Sequence, residues 1–209
     1  MDGDIMSKAK DIILFSGGMD STYLLWRYLK DNRPVHVHHV SLRNRTEAMW
    51  QPQDAAAARI LVRLQKEFTF GYTESKHEWF CTKPIAFDSD VLLLHLQCLV
   101  KSFKGYELTL NLGWTHEGMV RPIIKRRLAR NATGGLWTAL RNSLNNPSYV
   151  PKELTFPLLE WGTDRRDMIR DLPQNLLDLT WSCRRPDNGK PCGKCVPCKQ
   201  IKRALKGDI

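Results

Sequence analysis

Two groups of residues in this chain have the types and spacing to do chemistry. The first is Ser16-Gly17-Gly18-Met19-Asp20-Ser21, followed by Thr22. Adjacent glycines let a backbone turn tightly and bring its N–H groups close to an anion. A helix that starts inside such a turn adds unpaired N–H groups and the positive end of its dipole. Ser16, Ser21 and Thr22 supply hydroxyls. The familiar phosphate loop, G-x-x-x-x-G-K-[ST], places a lysine on the outer phosphates. Here there is no lysine, and Asp20 stands in the loop instead. A carboxylate repels phosphate unless it acts through Mg²⁺ or orients the loop by accepting backbone N–H bonds. The combination suits the holding of a pyrophosphate leaving group.

The second group is Cys183, Cys192, Cys195 and Cys198, spaced C-x8-C-x2-C-x2-C. Four thiolates in one short segment suit a tetrahedral zinc ion, with Gly189 and Gly193 allowing tight turns. An iron–sulfur cluster is the alternative, disfavoured by the wide first spacing and the missing Cys-Pro partner. A closed four-thiolate site leaves no open coordination position, so the metal is expected to fold the tail rather than to catalyse. Cys81 and Cys98 stand alone among apolar neighbours and are expected to be buried, inert thiols.

The rest of the chain must position these groups. Its 209 residues are 42% hydrophobic, enough for a substantial core and incompatible with wholesale disorder. No window approaches the roughly 20 apolar residues that cross a bilayer. The opening "MDGDIMSKAK" lacks an apolar signal core, so the expectation is a soluble cytoplasmic protein with no membrane partner. The formal charge is +10. Arg121, Lys125, Arg126, Arg127, Arg130 and Arg141 lie in a stretch without an acid. Such a stretch attracts nucleic acid or polyanionic small molecules, or is simply a solvated face.

"DIILFS" (Asp11–Ser16) is a continuous apolar run, as in a strand buried on both faces. "STYLLWRYLK" has helical spacing, and "VHVHHVSL" (Val35–Leu42) reads as a second strand. Pro52 and Asp54 are expected in the first turn of the next helix, and a third strand lies at "TFGYTES". A helix over residues 87–103, a fourth strand at Tyr106–Trp114 and a short fifth at Glu153–Leu159 follow. A last helix is opened by Thr163. Loops bracket a helical insertion around Leu136–Leu144. Alternating strands and helices predict an α/β, Rossmann-like parallel sheet with helices on both faces. Residues 1–180 form this domain, and residues 181–209 a C-terminal four-cysteine, zinc-binding appendage packed on it. His36 and His38 share one strand face and His39 the other, which points to strand packing, with one ring near a nucleotide, rather than to a metal site.

"SGGMDS" after an apolar N-terminal strand resembles the signature of the PP-loop ATP pyrophosphatases. That resemblance implies ATP cleavage between the α and β phosphates, with AMP activating an acceptor. The stretch from "ELTFPLL" through Thr180-Trp181-Ser182-Cys183 to "CGKCVPC" resembles the C-terminal part of 7-cyano-7-deazaguanine synthases. In that family a "PL" strand and a helix lead to "TWSC". The middle differs: "AFDSDVLLL" replaces a "GRN"-like turn, and "LRNRTE", with Arg43 and Arg45, only echoes "GQRH". "NLGWTHEGM" loosely resembles the fourth-strand loop.

The resemblance implies an adenine nucleotide alpha hydrolase-like fold and an ATP-dependent C–N ligase. It would convert 7-carboxy-7-deazaguanine and ammonia to 7-cyano-7-deazaguanine, a step toward bases such as queuosine. ATP, Mg²⁺ and structural Zn²⁺ are the implied cofactors, and a homodimer the implied assembly. Ser16, Asp20 and Ser21 are the implied catalytic residues, and Ser16, Gly17, Gly18, Met19, Asp20, Ser21 and Thr22 the nucleotide-binding set. Cys183, Cys192, Cys195 and Cys198 are the metal ligands. Trp50, Trp114 and His116 are candidates for a flat slot around the deazaguanine ring, although a tryptophan is more often core. Two competing readings remain: a PP-loop enzyme adenylating another acceptor or tRNA, and a non-catalytic zinc-bearing nucleic-acid-binding module.

Overall fold

The computed structural model describes residues 8–44, 49–79, 99, 103, 106–115 and 153–207. Among these residues five strands form one sheet: β1 (Lys8–Phe15), β2 (Val35–Asn44), β3 (Gly71–Trp79), β4 (Tyr106–Leu112) and β5 (Glu153–Thr155). Their order is β3-β2-β1-β4-β5, and every neighbouring pair is parallel. The chain runs outward from β1 to β2 to β3, then returns to add β4 on the other side of β1. The point where strand order reverses therefore lies between the carboxyl ends of β1 and β4, where ligands of open parallel sheets collect.

Side-chain alternation on β1 explains why it is apolar throughout. Ile13 and Phe15 join Val35 and Val37 in the core beneath α1 (Met19–Lys30) and α2 (Trp50–Gln65). Ile12 and Leu14 point to the opposite face with their register partners Leu110 and Leu112, and these are buried too. On that face Phe103 meets the ring of His36 edge-on, 4.7 Å between centroids. Both faces are thus covered, as expected of an all-parallel sheet. In α2, Ala57, Ile60, Leu61 and Leu64 form one buried stripe. No helix among the described residues is long and apolar enough to cross a membrane.

Buried polar groups tie the strands together. Asn111 on β4 accepts from Tyr28 Oη at 2.8 Å and Thr155 Oγ1 at 2.8 Å, and donates to Asp11 Oδ1 at 3.1 Å. Such pairing is what makes a buried amide tolerable. His36 donates to or accepts from Thr73 Oγ1 at 2.8 Å, and His38 lies between Thr73 and Ser75.

Several sequence boundaries need correction. The fifth strand stops at Thr155, and Pro157-Leu158 open a short helix, α3 (Pro157–Glu160), because proline suits the first helical turn but cannot donate to a sheet. The following helix, α4 (Arg165–Asp171), is capped by Asp164 and not by Thr163. Asp164 accepts from the Arg166 and Asp167 amides while Asp167 returns to the Asp164 amide, a reciprocal capping box. A short α5 (Gln174–Leu177) and the tail helix α6 (Val196–Lys206) complete the described fold. The third strand starts at Gly71 and continues to Trp79, and α2 starts at Trp50, which leaves Asp54 beyond its first turn. The helix over 87–103, Cys81, Cys98, His116, Arg45, the insertion helix and the basic stretch 121–141 lie outside the described residues, apart from Leu99 and Phe103.

His36 supplies a pH test. Burial, reinforced by Lys10, lowers its pKa from 6.5 to about 4. Below the unfolded value the unfolded chain takes up a proton that the native ring refuses, so stability is lost as pH falls from about 6.5 toward 4. Urea titrations across that window should show a declining midpoint, and His36→Gln should flatten the decline by about one proton's worth, roughly 1.4 kcal/mol per pH unit. An unchanged slope in the variant would assign the acid sensitivity to other groups.

Candidate phosphate loop and metal centre

The loop Ser16–Thr22 occupies the β1–α1 junction at the strand-order reversal. Gly17 has φ +74°, and Gly18 is the extended N-cap of α1 without a side-chain cap bond. Gly17 is obligatory on two counts. Its conformation disfavours any β-carbon, and a Cβ there would lie 2.6 Å from the Ala57 nitrogen and 3.0 Å from the Gln53 oxygen. Gly113, just past β4, presses equally hard on the loop's other side, where a Cβ would meet Ser21 Cα at 2.9 Å. The backbone of the loop is therefore clamped between α2 and the end of β4.

The hydroxyls expected to face a ligand first serve the loop itself. Ser16 Oγ lies 3.1 Å from Ser21 Oγ and accepts from the Gly18 amide at 3.3 Å. Ser21 Oγ and Thr22 Oγ1 both donate to the Gly18 carbonyl, at 3.2 Å and 2.8 Å. A phosphate would enter by exchanging these bonds.

Asp20 has a partner that lies far from the loop in sequence. Arg165 Nη2 donates to its Oδ2 at 3.2 Å, across 145 residues of chain. Only 8% of the arginine side chain is exposed, against 27% of the aspartate. The loop thus has a cation beside it after all, delivered by α4 rather than by the loop sequence. Nothing local in "TDRRD" distinguishes Arg165 from its exposed neighbour Arg166. Only the turn that α4 makes against α1 selects it.

Behind the loop, His39 donates from Nδ1 to the Phe15 carbonyl at 2.8 Å, and its Nε2 lies 3.0 Å from Asp54 Oδ1. Ser41 and Arg43 also donate to Asp54. Burial alone would raise the Asp54 pKa, but the bonds from His39, Ser41 and Arg43 outweigh it and hold the carboxyl below its ordinary value. His39 braces the strand end that leads into the loop. Trp50 lies under the Arg43 guanidinium, 4.6 Å to the ring centroid. Trp114 stacks on Phe156, with centroids 5.6 Å apart and an interplanar angle of 29°. Trp50 follows β2 and Trp114 follows β4, the two strands that flank β1.

The four cysteines of the tail converge, with all sulfurs within 4.8 Å of one another. Cys183 and Cys195 Sγ are 3.9 Å apart. A single tetrahedral ion with metal–sulfur bonds of about 2.3 Å separates its ligands by about 3.8 Å, so the donor set fits one ion. A disulfide would need about 2.05 Å. Backbone N–H groups point at the sulfurs: Cys192 to Cys183 at 3.3 Å, and Lys194 and Cys195 to Cys192 at 3.4 and 3.3 Å. At Cys195 burial is overcome by donors including the Arg184 and Cys198 amides, and the pKa falls to about 6. Burial, then the neighbouring sulfur of Cys195, pushes Cys198 up to about 12. Four thiolates this close cannot all ionise without a cation among them.

No protein-family model matches the sequence, and no curated protein matches it. Among solved structures, the chain resembles the U34-tRNA thiolase NcsA from Methanococcus maripaludis with its 4Fe-4S cluster. The TM-score is 0.53 at 14% identity, covering 99% of this chain and 72% of that one. NMN synthetase from Francisella tularensis matches with a TM-score of 0.45 at 14% identity, covering 97% of this chain and 79% of that one. The thiolase likeness shows a shared α/β fold, here carrying a C-terminal cluster of four cysteines.

Two outcomes are expected. Gly113→Ala should cost about 1–3 kcal/mol in urea unfolding, because backbone rather than a flexible side chain blocks the new methyl group. A stability equal to the parent would mean that β4 does not clamp the loop. Elemental analysis should find metal with the parent and none with Cys195→Ser, whose tail should unfold or aggregate. A metal-free variant with an intact tail would refute the cluster's structural role.

Proposed function

We propose that the chain is an ATP-dependent adenylating enzyme that cleaves ATP between the α and β phosphates. The reading rests on one observation above all: a lysine-free, hydroxyl-lined glycine turn at the strand-order reversal of a parallel sheet. A kinase-like site needs a cation on the γ-phosphate, whereas pyrophosphate departure needs donors at the β and γ oxygens together. The amides opening α1 and the hydroxyls of Ser16, Ser21 and Thr22 supply the donors. Arg165 supplies fixed positive charge beside them, and Asp20 holds it there. Mg²⁺, when bound, would neutralise charge on the departing pyrophosphate, with Asp20 as the carboxylate of the loop.

The acceptor we propose is 7-carboxy-7-deazaguanine, as the "TWSC" and "CGKCVPC" resemblance implies. Its carboxylate oxygen attacks the α-phosphorus and pyrophosphate leaves. Ammonia then displaces AMP to give the amide. A second ATP activates the amide oxygen, and loss of a proton and AMP yields the nitrile. The four cysteines would hold zinc, because one ion accounts for their close spacing, whereas a cubane cluster spreads its cysteine sulfurs over separate irons.

A second acceptor, tRNA, has specific support. The thiolase that shares the fold acts on tRNA, and Lys199, Lys202, Arg203 and Lys206 form an exposed basic stripe along one face of α6.

Incubating the protein with ATP, ammonia and the deazaguanine acid, then weighing the organic product, tests the assignment. The nitrile is expected, with Asp20→Asn releasing no AMP. An unchanged acid, together with salt-sensitive tRNA binding, would move the acceptor to RNA.

A further inference from the structure

The cysteine tail does not hang from the domain; it is joined to the phosphate loop. Trp181 N donates to the Gly17 carbonyl at 2.9 Å, and the Met19 amide points at Ser182 Oγ from 3.4 Å. A Cβ on Gly18 would touch the Trp181 oxygen at 3.5 Å and Ser182 Oγ at 3.8 Å, so the two backbones are in contact. The next residue is Cys183, the one buried ligand of the cluster. Trp181 Nε1 donates to the Cys183 carbonyl at 3.0 Å, which locks the indole over this link. A second connection runs through α6, which starts inside the cluster at Val196 and packs on α4. That helix carries Arg165, the partner of Asp20. Both ends of the cysteine segment thus reach the same loop.

We propose that metal held by Cys183, Cys192, Cys195 and Cys198 fixes the geometry of the Ser16–Thr22 loop, with Ser182 as the positioning residue. Metal loading thereby sets the loop's affinity for a pyrophosphate-bearing ligand. This rests on the loop being a polyphosphate site. The physical reason is the poverty of the tail's own packing. Between Arg184 and Lys194 nearly every residue is exposed, so apolar burial does little to order that stretch. Cross-linking through the metal is what makes such a segment rigid. Released from it, Trp181 and Ser182 no longer hold the Gly17 carbonyl and the Met19 amide at fixed positions. The amides that would receive phosphate then have to be ordered by the ligand itself, which weakens binding.

The test uses the full chain, zinc-loaded and then stripped by a chelator, with two readouts. Hydrogen exchange at the amides of residues 17–22 should quicken by roughly tenfold on stripping while α2 residues 56–64 stay protected, and zinc should restore the loop. Inorganic pyrophosphate, titrated calorimetrically, should bind the zinc-loaded Ser182→Ala variant roughly fivefold more weakly than the parent, with Ser182→Thr close to the parent. Unchanged loop exchange after stripping overturns the proposal, as does parent-like pyrophosphate binding by Ser182→Ala. Should the zinc-loaded parent bind no pyrophosphate, the polyphosphate reading fails, and the exchange data alone decide whether metal and loop are coupled.

Discussion

The closeness of three backbones to one turn constrains the whole carboxyl edge of the sheet. At Gly17 the nitrogen of Ala57 on α2 leaves no room for a methyl group, and at Gly113 the first turn of α1 leaves none either. The tail approaches the same turn from a third side through Trp181. A loop held this way cannot relax when its polar groups change partners, so its amides stay in the positions the fold gives them. Preorganised donors of this kind stabilise developing charge without reorganising at the moment of reaction.

Charge around the turn is arranged in pairs. Arg165, almost wholly buried, faces Asp20, and Arg43 faces Asp54. Removing one member of a buried pair leaves the other uncompensated, so these residues hold the site together as well as equip it. Substitution of Asp20 therefore has a structural component, and activity has to be read beside stability. The same principle applies to the cysteines, whose crowded sulfurs need a cation to ionise together.

Much of this was legible in the sequence, for identifiable reasons. The apolar run from Ile12 to Phe15 announces a doubly buried strand, and its continuation into Ser16-Gly17-Gly18 announces a tight strand-to-helix turn, because both signals are local. The four cysteines are local too. Arg165 was illegible because its importance comes from a contact 145 residues away, and an arginine in "DRRD" looks like surface charge. Ser182 reads in the sequence only as part of "TWSC", since nothing in its neighbours says that it meets Met19. Thr163 lost the cap to Asp164 because the aspartate can complete a reciprocal box with Asp167.

The position of the broken bond in ATP is the most direct measurement of the central claim. Phosphorus NMR of a reaction containing the acceptor should show AMP and pyrophosphate accumulating together. Accumulation of ADP and inorganic phosphate would contradict the account, because the lysine-free turn would then be working on the terminal phosphate.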